Sequence, residues 1–85
     1  MSLKIAFQNM HENPGRIIDI SVNATDCIMI SKSIKNDDMM VVSLWANNKM
    51  YEPVEMTEDQ ILSYGSNWSK LIAENFAKKE EAVYA

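Results

Sequence analysis

Apolar residues in this chain change period once. Up to about residue 56 they recur at every second position, and beyond it they recur at helical spacing. Leu3, Ile5 and Phe7 alternate in "LKIAF", which predicts a first strand. "RIIDISVNA" alternates again, with Ile18, Ile20 and Val22 on one face and Ile17, Asp19 and Ser21 on the other. "CIMISKSI" sets Ile28 and Ile30, with Ile34 as a candidate third, against Cys27, Met29 and Ser31. "MMVVSLWAN" is apolar on both faces: Met40, Val42, Leu44 and Ala46 on one, Met39, Val41 and Trp45 on the other. Such a strand is central, or its outer face meets a partner. "MYEPVEM" predicts a short fifth strand, and Pro53, which lacks an N–H for a ladder bond, places it at a sheet edge.

The punctuation fits that reading. "NATD" (23–26), "KNDD" (35–38) and "NNK" (47–49) are turn sequences, because Asn and Asp bond their own backbone and tolerate left-handed conformations. From Thr57 onward, Ile61, Tyr64, Trp68, Leu71, Ile72, Asn75 and Phe76 share one side of a helix. Thr57 is a suitable N-cap, Glu58 and Asp59 suit the positive end of the helix dipole, and Lys78 and Lys79 suit the negative end. Gly65 costs about 1 kcal/mol inside a helix, so the region is one helix or two, the second capped by Ser66 or Asn67. The expected fold is α+β: an antiparallel sheet of four to five strands followed by a C-terminal helix, with a break near Gly65 as an option, packed on one face. Residues 1–85 form a single domain, with strands over about 3–56 and the helical region over about 58–80.

Composition excludes several functions. A single cysteine, Cys27, leaves no partner for an intramolecular disulfide, and with a single histidine it makes a structural zinc site untenable. No apolar run reaches the roughly 18 residues needed to span a bilayer, and the N-terminus lacks the apolar stretch of a signal peptide, so a cytoplasmic protein is expected. A net charge of −4 argues against a general nucleic-acid binder, although Lys4, Arg16, Lys32 and Lys35 would form a local basic strip if they converged. The acidity is local. Between Lys49 and Lys70 lie Glu52, Glu55, Glu58 and Asp59 and no basic residue, and the remaining eight acids and eight bases cancel.

Each chemical motif has a plain alternative. "MHENPGR" (10–16) holds the lone histidine, His11, beside Glu12, but neighbours on a strand face opposite ways and cannot act as base and orienting acid. Pro14 and Gly15 suit the central positions of a type II turn, here a hairpin loop between the first two strands. Cys27 opens an apolar strand, which favours a packed thiol over a nucleophile. Trp68 reads as core, and seven methionines serve equally as gap fillers or as an adaptable surface. The sequence carries no phosphate loop, serine elbow or triad arrangement, so no catalytic residue, metal ligand or cofactor is expected.

The acidic window has two readings. One is edge protection and helix capping. The other is a contact surface for a basic partner protein, built from Glu52, Glu55, Glu58 and Asp59 with Tyr51 and Trp45 as aromatic anchors. The second describes a non-catalytic interaction module of the inhibitor, immunity or regulatory kind, and small acidic phage and mobile-element domains are alike in size and charge. An alternative is a homodimer through the outer face of "MMVVSLW", burying Val41 and Trp45.

Overall fold

The computed structural model describes residues 3–76. It begins with a helix, α1 (Leu3–Glu12). Five strands follow: β1 (Ile17–Ser21), β2 (Cys27–Lys32), β3 (Met39–Ala46), β4 (Lys49–Met50) and β5 (Val54–Thr57). Two helices, α2 (Glu58–Ser63) and α3 (Trp68–Asn75), close the order. The class is α+β, an antiparallel sheet with helices on one face.

The first element corrects the expected strand at 3–7, and the strands begin at Ile17 rather than near residue 3. Within "LKIAF" alone a period of two and a period of 3.6 are hard to separate. Reading on to Met10 decides it: Leu3, Phe7 and Met10 stand at i, i+4 and i+7, and Phe7 and Met10 are buried. "MHENPGR" is consequently not a hairpin loop. It is the end of α1 and the turn into β1. Asn13 precedes a proline and is kept out of continued helix, and Arg16 N–H closes the turn on Asn13 C=O at 3.0 Å. Gly15 does not take a positive φ, so the turn is not type II.

The strand order is β1-β2-β3-β4, with β5 also on β3, and every pairing is antiparallel. β4 and β5 together make one broken edge strand. Tyr51 bonds opposite Leu44 and Val54 stands opposite Val42, so Glu52 and Pro53 both face Ser43. That extra residue is a bulge, and it seats the proline where no ladder donor is needed. Asn47 (φ 55°) and Asn48 (φ 59°) form the two-residue β3–β4 turn in the left-handed conformation that such hairpins require.

The alternation sorts the sheet into two faces. Ile28, Ile30, Met40, Val42, Leu44, Ala46 and Met56 point inward and join Phe7, Met10, Ile61, Leu71 and Phe76 in one buried cluster. Ile34 does not join them: it is 99% exposed at the β2–β3 hairpin tip. The helical region is two helices. Thr57 accepts from Gln60 N–H while the Gln60 side chain accepts from Thr57 N–H, a complete capping box on α2. Gly65 (φ 57°) and Ser66 (φ 69°) turn the chain, and Asn67 caps α3. Lys78 and Lys79 and the expected helix beyond Phe76 lie outside the described residues. Among the described residues no helix is long and apolar enough to cross a membrane.

Candidate functional site

All three helices contribute to the core on the inner side, and among the described residues no helix lies on the outer face of the sheet. Cross-strand rows define that face: Ile17, Ser31, Val41 and Glu55; Asp19, Met29 and Ser43; Ser21, Cys27, Trp45 and Met50. Met29 and Val41 are half-buried by their neighbours alone, while Trp45 is 40%, Met50 50% and Ile17 59% exposed. The charged side chains in these rows are Asp19 and Glu55, with no lysine or arginine. Six of these eleven residues are apolar, and both charges among them are negative.

Glu55 explains part of its own placement. From β5 its carboxylate crosses β3 to the β2–β3 hairpin, where it accepts from Ser33 Oγ at 2.5 Å and Asn36 Nδ2 at 3.0 Å. Ser33, only 4% exposed, also accepts from Asn36 N–H at 3.1 Å. Glu55 is therefore a clasp for the hairpin as well as a charge on the face.

The structure divides the acidic window of the sequence. Glu52 sits in the bulge, and Glu55 is held by the hairpin. Glu58 and Asp59 start α2, where they meet acids of the "KNDD" turn. Asp37 and Asp38 from the β2–β3 hairpin and Thr57, Glu58 and Asp59 line an open depression of about 400 Å³ with His11. His11 Nε2 lies 2.6 Å from Glu58 Oε2, which ties the end of α1 to the start of α2. A small-molecule pocket is mostly apolar, whereas every residue lining this one is polar or charged. Its chemistry suits a cationic side chain. Among the described residues no group of three or more histidine, cysteine or carboxylate side chains is arranged to hold a metal ion.

The aromatic anchors also separate. Trp45 stands on the outer face. Tyr51 points inward, packs edge-on against Phe76 with ring centroids 6.3 Å apart, and lies 4.9 Å beneath Lys49 Nζ. Cys27 is half-buried on the outer face, a free thiol. Of the four basic residues of the expected strip, Arg16 and Lys32 fall at the same end of the β1–β2 ladder, since Ile17 stands opposite Ser31, and Lys35 lies in the adjoining β2–β3 hairpin. Lys32 Nζ donates to the C=O groups of Asp37 (2.5 Å), Asn36 and Ser33. Lys4 and Arg16 lie at opposite ends of the ten-residue α1 and its turn, a separation on the order of 15 Å.

Comparison with protein-family models, curated proteins and solved structures finds no match for this chain.

Proposed function

We propose that this protein is a small non-catalytic interaction module, of the inhibitor, immunity or regulatory kind, that binds a partner protein with the outer face of its sheet. The observation that carries this reading is the uncovered row set, with Met29, Val41 and Trp45 on its central strands and Met50 on its edge. A contiguous apolar surface rimmed by polar residues is costly to leave in water and marks interaction sites. Tryptophan and methionine are enriched at such interfaces. Trp45 offers a large rigid anchor, and Met29 and Met50 adapt around it.

Charge defines the partner. Asp19 and Glu55 on the face, with Asp37, Asp38, Glu58 and Asp59 at one end of the sheet, make this side predominantly acidic, with His11 paired to Glu58 among them. A partner with an apolar centre and lysine or arginine at its rim complements this surface, and its association slows as salt rises.

The test is affinity capture from the native host with the wild type, with Met29→Lys and Trp45→Ser, and with Lys70→Ala on the far helical side as a control. The reading expects a stoichiometric partner held by the wild type and the control and lost by both face variants. Capture unchanged by both face variants would overturn it.

A further inference from the structure

The two edges of the sheet are not alike. The β4–β5 edge is broken by a bulge and a proline, and Glu55 stands on it. Those are the devices by which proteins keep a sheet edge from pairing. The β1 edge has neither a bulge nor a proline, and its single charge is Asp19. It reads "IIDIS", without proline or lysine, and its register with β2 runs uninterrupted from Ile17 to Ser21.

The free backbone groups of β1 can be assigned. Val22 N–H bonds Asp26 C=O, in register with the β1–β2 ladder, so the even residues of β1 bond toward β2. Ser33 N–H bonds Met39 C=O, so the odd residues of β2 bond toward β3, which requires the same assignment independently. Ile17, Asp19 and Ser21 therefore aim their N–H and C=O groups away from the sheet. Among the described residues no strand pairs with that side. The inner side chains at this edge are also incompletely covered: Ile18, Ile20 and Val22 pack against the core yet stay only partly buried.

We infer that β1 pairs antiparallel with β1 of a second copy of this chain, about a two-fold axis at Ile20. The sequence of the edge suits that register. With the axis at Ile20, Asp19 faces Ser21 of the second copy in a hydrogen-bonded pair, and Ser21 faces Asp19. Carboxylate meets hydroxyl. Ile20 faces its own copy in the close, non-hydrogen-bonded type of pair, and Ile18 faces Val22, so the open margin of each core is closed by aliphatic side chains of the other. An axis at Asp19 would instead set carboxylate against carboxylate. Face-to-face packing of two outer surfaces is disfavoured for the same reason, since both bring Asp19 and Glu55 and no base. The interface is isologous and closed, giving a dimer rather than a filament, with one sheet running through both copies and both outer faces left open to partners.

The experiment is sedimentation equilibrium of the full chain up to about 0.5 mM, a range that resolves weak dimers, with three edge variants. Asp19→Pro removes an outward N–H that β2 does not use, and it should abolish the dimer. Ser21→Asp should weaken dimerisation and Ser21→Lys should strengthen it, each by roughly three- to tenfold, because the change acts twice across the axis. Both positions are exposed, and circular dichroism confirms that each variant is folded. A monomer throughout the concentration range would overturn the inference. So would a dimer indifferent to the sign of the charge at position 21 but lost in Trp45→Ser, which would move the contact to the outer face. The partner-capture experiment reads a different surface, so either proposal can fail alone.

Discussion

Glu55 was expected from sequence to meet a partner, and the structure gives it an internal task whose size can be worked out. Replacing it with alanine removes the acceptor for the Ser33 hydroxyl and for the Asn36 side-chain amide. Ser33 is buried, so its donor is left without water, at about 1–3 kcal/mol. Asn36 is exposed, and losing its bond costs about 0.5 kcal/mol, because water replaces the carboxylate. The sum is about 2 kcal/mol, a large part of the 5–15 kcal/mol that holds a domain of this size. Glu55→Ala should therefore lower Tm by about 10 °C. Urea unfolding of Glu55→Ala, Ser33→Ala and the double variant measures it. The double variant should cost clearly less than the sum of the single ones, since either change alone strands the other partner. A loss below about 0.5 kcal/mol, or strictly additive losses, would show that the clasp contributes nothing and that Glu55 is an ordinary surface acid.

Three further outcomes are expected. Gly65→Ala has room for its methyl group but must hold φ at 57°, so it should cost about 1 kcal/mol in the same unfolding assay. Thr57→Ala removes the α2 cap and should cost about 1 kcal/mol, with little further loss when Gln60→Ala is added, because the two residues form one capping box. Tyr64 donates its hydroxyl to Glu74 Oε1 at 2.8 Å, and that bond holds its pKa above the ordinary 10, against the opposing bond from Asn75. The contribution is full below pH 10 and fades as pH rises through the elevated value, so alkaline unfolding of the wild type should show a loss of stability there that Tyr64→Phe lacks.

The legible parts of this fold are those in which a local pattern and a tertiary need coincide. From β1 through β3 the alternation is long enough to fix the faces, and the buried positions of β3 are the ones its pattern assigns. Pro53 marked an edge because its chemistry allows few other places in a sheet. Thr57 capped its helix for the same kind of reason. At the N-terminus the pattern was short: Leu3, Ile5 and Phe7 fit a strand, and the choice rested on Met10, whose burial depends on the helix packing beneath β2. The site was harder to read because it is made by juxtaposition. Nothing in "KNDD" announces that Asp37 and Asp38 will stand beside Glu58 and Asp59, some twenty residues on. Nothing in Glu55 announces a serine across two strands. Charge counted along the chain marks where acids are dense, whereas function depends on which of them remain facing solvent after the hairpins have used theirs. Glu55 is partly used in this way, Asp19 is not, and Asp19 lies on the outer face of β1, the edge of the sheet that has neither a bulge nor a proline against pairing. The contact surfaces of the protein are therefore better located by asking which backbone groups and apolar rows the fold leaves uncovered than by asking where its charge is concentrated.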